Sequence, residues 1–180
     1  AKAAAEKAEK AAAAAKKKKK KLGILAAVAA VIVIAAAVVI TQVIIPKRQY
    51  DQAVLKYGDS IKNASVGDVI TFGAYEQDND STNGKEDIQW IVLRVESDKI
   101  LVISKKCLDY QEYNKTHAEV TWASCSLRQW LNSSFLKKAF NSGERRMIQN
   151  TNIIVSSDSK TTDRVFVLSK TEARLYLKSD

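Results

Sequence analysis

Few residues in the chain have the types and spacing that catalysis needs. His117 is the only histidine, and it has neither a second histidine nor a pair of neighbouring cysteines to complete a zinc site. The S-x-x-K pattern of penicillin-recognising enzymes occurs twice, at Ser134–Lys137 and at Ser157–Lys160, without the S-D-N or K-T-G partner. We therefore predict no catalytic residue and no metal centre of this kind.

An acidic run offers oxygen atoms that suit calcium. Asp78, Asp80 and Asn83 lie within Asp78–Gly84, which reads DNDSTNG, and carboxylate and amide oxygens are the ligands that hard cations prefer. The run lacks the EF-hand order and its closing glutamate at the required distance. A solvated turn and a loop that binds calcium or another polar ligand both fit the pattern, and no other cofactor is predicted.

The apolar block Leu22–Ile45 decides on which side of a membrane these residues lie. Thr41 and Gln42 are its only polar residues, and the Thr41 hydroxyl can bond to the preceding turn. As an α-helix the block spans about 36 Å, more than a hydrocarbon core of about 30 Å. It predicts a single transmembrane helix, which we expect to end sharply at Pro46.

A cleaved signal peptide and a buried core helix are the alternatives for this block. Ala35–Ala37 resembles a cleavage site, but the apolar run continues beyond it and exceeds the roughly 7–15 residues of a signal core. A helix that is apolar on all sides needs a larger interior than a small domain offers.

The net charge of +9 is concentrated at the N-terminus. Residues 1–21 hold nine lysines, six of them at Lys16–Lys21, against two glutamates, and the rest of the chain is nearly balanced. The positive-inside bias then predicts a cytoplasmic N-terminus and an outer domain after Pro46. The lysines suit anionic lipid, so the bilayer is the predicted partner and nucleic acid is not.

Two cysteines, Cys107 and Cys125, fall in the predicted outer part. A disulfide is permitted outside the cell and would stabilise a loop of this size by about 3 kcal/mol. The alternative is a free cysteine that behaves as a small buried hydrophobe.

Helical spacing of Tyr50, Val54 and Tyr57 predicts an amphipathic helix within residues 46–64, which serves as a stalk or packs on the domain that follows. A mixed α+β domain follows at 65–180. Its first strands are β-branched and aromatic, and Gly73 suggests a bulge or a close approach in the first of them. The three predicted strands are Asp68–Tyr75, Gln89–Glu96 and Lys99–Ser104. The second contains Trp90, which is predicted to be a structural residue, and a hairpin turn at Ser97–Asp98 joins it to the third.

Residues 105–125 form an irregular stretch, in which Trp122 is predicted to be a buried anchor. Ser126–Gln129 fits a capping box and therefore predicts a helix start at Ser126. Trp130 lies beside the apolar stripe of this helix, and Asn141–Gly143 is predicted to stop it.

The last part of the chain predicts two strands and a helix. The strands are expected at Asn152–Val155 and Arg164–Leu168. A second capping box, Ser169–Glu172, opens a helix that we expect to be still running near Leu177.

Five segments in this order resemble one bacterial extracytoplasmic family. They are GDVITFGAYEQDND, NGKEDIQWIVL, LVISK, VTWASCSLRQWLNSSFLKKAF and VFVLSKTEA, within Gly67–Asp180. The family is a domain of unknown function, number 6273 of that series, and is similar to C-type-lectin-like and formylglycine-generating-enzyme folds. Its usual cysteine after Leu-Asp is Tyr110 here, and its closing C-terminal strands do not occur. The resemblance thus implies a lectin-like fold that is incomplete at its C-terminus, and it supplies no catalytic residue.

These observations predict four parts: a tail at 1–21, a transmembrane helix at 22–45, a stalk helix at 46–64 and an α+β domain at 65–180. The leading hypothesis is a single-pass membrane protein whose outer, non-catalytic domain binds a cell-surface, cell-wall or extracellular ligand, with glycan as one candidate. The alternative is a structural or sensory subunit of an envelope complex that acts through the stalk and membrane helix. An enzyme is the third hypothesis, and the oligomeric state is left open.

Overall fold

The computed structural model describes residues 2–156 and 159–177. The chain divides into two compact units, Ala1–Pro46 and Lys47–Asp180. The first unit contains the long helix α1 (Lys2–Val39) and a π-helical segment, Ile40–Ile44.

Large apolar side chains are exposed along the second half of α1. Leu22, Leu25 and Val33 are each about two-thirds exposed. The helical stretch Ala12–Lys62 is long and apolar enough to cross a membrane, and its most apolar window is exposed among the residues that the structure describes. A core helix would be mostly buried, so this exposure does not support that alternative.

The helix does not end at Pro46, which corrects that prediction. Helix α2 runs from Ile45 to Lys62 and contains Pro46 in its first turn, where proline has no N–H to donate to the preceding turn. Just before it, the Ile45 amide donates to the Ile40 carbonyl across a wide π turn, which makes room for the proline ring. The predicted bond from Thr41 is confirmed, since its hydroxyl donates to the Ala37 carbonyl over 2.9 Å.

In the second unit, α2 confirms the predicted amphipathic helix. Ala53 and Tyr57 on its apolar face are buried, and the ring of Tyr57 meets that of Phe72 edge to face at 4.9 Å between centroids. This helix therefore packs on the domain, which is the second of its two predicted roles.

Three antiparallel strands form the main sheet in the order β1 (Val69–Tyr75), β2 (Glu86–Val95), β3 (Ile100–Ser104). The predicted hairpin is confirmed: the Glu96 amide donates to the Lys99 carbonyl over 2.8 Å. Ile70 pairs with Trp90, and Val92 pairs with Val102. The strand boundaries lie within a few residues of those predicted.

Gly73 confirms both expectations for its position. The β1–β2 register shifts between Thr71 and Ala74, and Gly73 has a φ of +74°, which favours glycine. A β-carbon there would lie 2.5 Å from the Phe140 ring and 2.8 Å from the Ala139 carbonyl. The missing side chain lets the helix that ends at Ala139 lie directly on the strand.

A broken helical region crosses the sheet. It comprises α3 (Ser126–Trp130), a π-helical segment (Leu131–Phe135) and α4 (Leu136–Ala139). The helix begins at Ser126 as predicted, but not through a capping box, because Cys125 occupies the N-cap without a side-chain bond. The Ser126 hydroxyl instead accepts the Lys115 amide over 2.9 Å and fastens the irregular stretch to the helix.

Asn141–Gly143 starts a helix that the sequence did not predict. Helix α5 (Ser142–Met147) has Asn141 at its N-cap, whose side chain accepts the amides of Gly143 and Glu144. Glu144 in turn accepts the Asn141 amide over 2.8 Å. The residues expected to act only as a stop therefore form a complete capping box.

A two-stranded sheet and a last helix complete the described chain: β4 (Thr151–Ser156), β5 (Ser159–Asp163) and α6 (Lys170–Tyr176). The first predicted strand is confirmed by β4. The strand predicted at Arg164–Leu168 is wrong, because the amides of Arg164 and Val165 donate to the Asn132 side chain, at 2.8 and 3.2 Å, and not to a neighbouring strand.

The capping box at Ser169–Glu172 is confirmed, with both reciprocal bonds present. Helix α6 runs to Tyr176 with Leu177 as its C-cap, which agrees with the prediction of a helix still running near Leu177. The core lies between the main sheet and the broken helical region. Its fully packed members are Tyr75, Ile88, Phe135, Leu136, Ala139 and Phe140.

Candidate functional site

An apolar groove of about 820 Å³ lies within the second unit. One wall is the sheet, through Phe72, Trp90 and the whole of β3. The facing wall comes from Trp130 in the broken helical region and from Val165–Leu168. This volume lies within the range of roughly 300–1,000 Å³ typical of ligand sites.

Two tryptophans give the groove rigid aromatic walls. Trp90 donates its indole N–H to the Phe72 carbonyl over 2.7 Å, and its ring stacks at 6.2 Å on Phe140. Trp130 packs against Phe135 at 5.4 Å between centroids. Both residues were predicted only as structural; their place on the groove could not be read from the sequence, because it depends on which faces the sheet and helices turn toward each other.

The charged side chains that line the groove are of both signs: Asp98 and Asp109 are acidic, and Lys99, Arg146 and Arg164 are basic. Arg146 and Arg164 line it and are exposed, and Arg164 donates from Nε to the Asn150 amide oxygen over 3.2 Å. Lys99 also lines it but is paired with Glu96 at 3.3 Å. The groove therefore combines an apolar lining with charged side chains of both signs.

The polar side chains of the predicted loop form hydrogen bonds within the loop itself. The Asp78 carboxylate accepts the Asn83 side-chain amide over 2.9 Å and the Asp80 amide over 2.8 Å. Asp80 accepts the Thr82 amide over 3.0 Å. Asp78, Asp80 and Asn83 are all exposed, and these bonds are those of Asx turns.

Asp78 also comes close to two carboxylates that the sequence reasoning missed. One carboxylate oxygen from each of Glu76, Asp78 and Glu86 lies within 4.8 Å of the others. Burial, followed by the bond to Asp78 and the charge of Glu86, raises the pKa of Glu76. The bond from Asn83 holds the pKa of Asp78 below its usual range. Three carboxylates in this arrangement could serve as ligands for a hard cation, and Asp80 is not one of them.

Trp122, which was predicted to be a buried anchor, is half-buried, and a hydrogen bond of its indole holds it in place. Its indole donates to Asp163 over 2.9 Å, and Asp163 is 2% exposed. Arg128 Nε and the Thr161 hydroxyl donate to the same carboxylate at 2.8 and 2.7 Å. Burial alone would raise the pKa of Asp163, but these donors outweigh it and lower the pKa.

Cys107 and Cys125 are both free thiols, so the disulfide alternative is not formed in this structure. The environments of the two cysteines differ. Cys125 is fully buried at the start of α3 and its thiol lies 3.5 Å from the Trp122 carbonyl. Cys107 is exposed, with its sulfur 3.6 Å from the Asp109 carbonyl.

The remaining candidates for catalysis lie on open surface. His117 is exposed in the irregular stretch, and Ser134 and Lys137 are exposed on the broken helical region. Ser157 of the second S-x-x-K match lies outside the described residues. These three described side chains do not line the groove.

Comparison with known proteins places one family on part of this chain. Residues 97–179 match a family described as a domain of unknown function, DUF6273. The match runs from the β2–β3 turn past the end of α6, which covers most of the groove's lining but not β1 or α2. No curated protein and no solved structure matches the chain.

Proposed function

We propose that the chain is a single-pass membrane protein that displays a non-catalytic binding domain to a cell-surface or extracellular ligand. The exposed apolar side chains of α1 support a place in lipid, since such a surface is costly in water. The lysines at Lys16–Lys21 support a cytoplasmic N-terminus. The domain from Lys47 onward then lies outside, consistent with the extracytoplasmic family that its segments resemble.

The single observation that carries the binding role is the apolar groove of about 820 Å³. Its walls are hydrocarbon and indole, which hold a ligand by burial and stacking. Glycan remains a candidate through the two tryptophans, but the breadth of the aliphatic lining favours a ligand with an apolar face. The exposed acidic loop around Asp78 is a second polar contact surface for a calcium-dependent ligand.

A pull-down by the full chain in lipid nanodiscs tests this proposal. The chain is presented to cell-wall sacculi, a glycan panel and immobilised peptides, once in calcium and once in chelator. We expect saturable capture that falls when Trp130→Ala opens one wall of the groove. Lys137→Ala is the matched control, because Lys137 is exposed on the same helical region and does not line the groove. Absence of capture by folded protein on every surface would overturn the binding role.

A structural or sensory subunit is the second candidate, and the packing of α2 favours it. The Tyr57 hydroxyl donates to Glu144 over 3.0 Å, and the Ser142 hydroxyl donates to the Gln49 side chain. A helix fastened at two points to the domain could carry a signal or a load. Cross-linking in cells separates the candidates, since a subunit would give one stoichiometric protein partner that requires Leu22–Lys62.

A further inference from the structure

The connection between β1 and β2 brings three carboxylates together. Glu76 follows β1 directly, Glu86 is the first residue of β2, and Asp78 lies in the loop between them. Tyr75 pairs with Glu86 in the sheet, so strand pairing holds the backbones of the two glutamates close together. One carboxylate oxygen from each of the three acidic residues lies within 4.8 Å of the other two.

Glu76 carries a buried oxygen that has no hydrogen-bond donor. Its Oε1 atom exposes less than 1 Å² to solvent, and it is the single buried side-chain oxygen or nitrogen without a partner among the residues that the structure describes. A buried polar atom without a partner is destabilising, and in native proteins it can mark the place of a water or an ion. Because both oxygens of Glu76 belong to one carboxyl group of the cluster, this atom points to a ligand at the cluster itself.

No basic side chain neutralises the cluster among the described residues. Glu76, Asp78 and Glu86 belong to none of the ion pairs found there. Lys85 is the only basic residue between the two glutamates, and its ammonium group donates to the Lys138 carbonyl over 2.6 Å. Like charges at this separation repel one another, and a cation bound between the three carboxylates would remove the repulsion.

Hydrogen bonds from the loop hold two of these carboxylates in place. The Gln77 amide donates to Glu86 Oε2 over 2.6 Å. The Asp80 amide and the Asn83 side-chain amide donate to the two oxygens of Asp78, at 2.8 and 2.9 Å. Each carboxylate oxygen has a further lone pair, so both groups can still bind a cation. Donors that orient carboxylates in this way are typical of the surroundings of a metal site.

We propose that Glu76, Asp78 and Glu86 form a binding site for one calcium ion, which fixes the loop to the ends of β1 and β2. Calcium binds oxygen at about 2.4 Å, so two oxygens on one ion lie at most about 4.8 Å apart, and the three carboxylates meet this limit. They supply three of the roughly six to eight oxygens that calcium takes, and water completes the set on the exposed side of the loop. Magnesium demands shorter bonds in strict octahedral geometry, so calcium is the better match.

This ligand set differs from the one that the sequence suggested. Asp80 accepts the Thr82 amide over 3.0 Å and does not belong to the cluster, and Asn83 acts only as a donor to Asp78. The site does not rest on the proposed binding function, because its ion is held by the loop and is measured without any other ligand.

Thermal unfolding of the full chain in phosphatidylcholine nanodiscs tests the site, with calcium chloride as the ligand and chelator at matched ionic strength as the reference. The neutral lipid keeps calcium from being taken up by the bilayer. Weak extracellular calcium modules have dissociation constants of about 1 mM. At that affinity, about 10 mM calcium should raise the melting temperature of the domain by about 4 °C, and magnesium should give a smaller shift.

Three variants test the ligand set. Glu76→Gln and Glu86→Gln each remove one charged ligand, and we expect either change to weaken calcium binding by about tenfold or more and to abolish the shift. Asp80→Asn is the matched control, because Asp80 lies in the same loop and asparagine keeps its turn, so the shift should remain. The near-ultraviolet circular dichroism of each variant in chelator reports whether it is folded. Terbium luminescence sensitised by Tyr75, with calcium as the competitor, measures binding to the wild-type protein independently of any variant.

Two kinds of result would overturn the site. One is an equal melting temperature of the wild-type chain in calcium and in chelator, together with terbium luminescence that calcium does not displace. The other is a calcium shift that persists in folded Glu76→Gln and Glu86→Gln, or that Asp80→Asn abolishes while they retain it. Neither result bears on the apolar groove, so failure of the calcium site leaves the proposed binding role to its own test.

Discussion

Tyr57 in α2 donates its phenolic hydrogen to Glu144 Oε1 over 3.0 Å, across 87 residues of chain. Both residues are buried, at 4% and 7% exposure. Burial and the neighbouring Glu144 raise the pKa of Tyr57, so it remains a donor at neutral pH. This bond fastens the helix next to the apolar block to the α5 capping box.

Removing this hydroxyl should destabilise the domain. Tyr57→Phe leaves one oxygen of Glu144 without its donor, which costs roughly 1–3 kcal/mol for a buried group. Urea unfolding of the full chain in micelles, followed by tryptophan fluorescence, measures the loss. Tyr50→Phe is the control, since Tyr50 is 38% exposed. Equal effects of the two changes would contradict a special role for the Tyr57 bond.

Two glycine-to-alanine substitutions test how closely α2 packs on α5. A β-carbon at Gly143 would overlap the Gln49 carbonyl, whereas one at Gly58 would meet only the Val54 side chain, at 3.5 Å. Gly143→Ala should destabilise by more than 1 kcal/mol, about the cost of forcing strain into a packed site. Gly58→Ala should be neutral or stabilising by up to about 1 kcal/mol, because alanine favours helix. Thermal unfolding compares them, and loss of stability in the Gly58 variant alone would refute the packing of α2.

Asp163 should be a stabilising carboxylate over most of the pH range. Asp163→Asn deprives the Arg128 guanidinium of its ion pair and should cost about 3 kcal/mol. Because the folded-state pKa is lowered, this contribution is present above the unfolded pKa of about 3.9 and is lost as pH falls through the lower folded value. Urea unfolding at pH 7 and at pH 3 measures it, with exposed Asp51→Asn as the control. A gap between variants that stays constant into acid would contradict this assignment.

Ionisation of Glu76 should destabilise the fold, whereas ionisation of Asp163 stabilises it. Burial, the bond to Asp78 and the charge of Glu86 raise the folded pKa of Glu76 above 4.5, so its ionisation destabilises the fold once the pH exceeds that value. In chelator, Glu76→Gln should raise the melting temperature at pH 7 and leave it unchanged below about pH 4, where the unfolded state is protonated as well. Exposed Glu112→Gln serves as control. A lower melting temperature at pH 7 would contradict the repulsion, and repeating the comparison in calcium tests the loop's predicted cation binding.

The elements with strong local signals were predictable from the sequence. The strand run that contains Trp90, the hairpin turn at Ser97–Asp98 and the capping box at Ser169–Glu172 all formed as expected. Gly73 also behaved as predicted, because positive φ and close approach are demands that a glycine meets locally.

Two of the misses share a cause, which is bonding between residues that are not neighbours in the chain. The amides of Arg164 and Val165 donate to the Asn132 side chain, more than thirty residues earlier, and the Ser126 hydroxyl accepts the Lys115 amide rather than capping its own helix. The groove depends on the same kind of information, since its walls come from segments with separate positions in the sequence. The start of α5 is different, because the Asn141 and Glu144 capping box is a local pattern that the sequence contains.

Exposed Cys107 offers the most direct test of the central claim, that the domain is displayed outside a membrane. Intact cells producing the full chain are treated with a membrane-impermeant maleimide, with buried Cys125 replaced by Ala and with Cys107→Ser as the unlabelled control. We predict that Cys107 is labelled in intact cells to the same extent as in permeabilised cells, and that the chain stays in the membrane fraction after carbonate extraction. Labelling only after permeabilisation, or release of the chain by carbonate, would contradict the account.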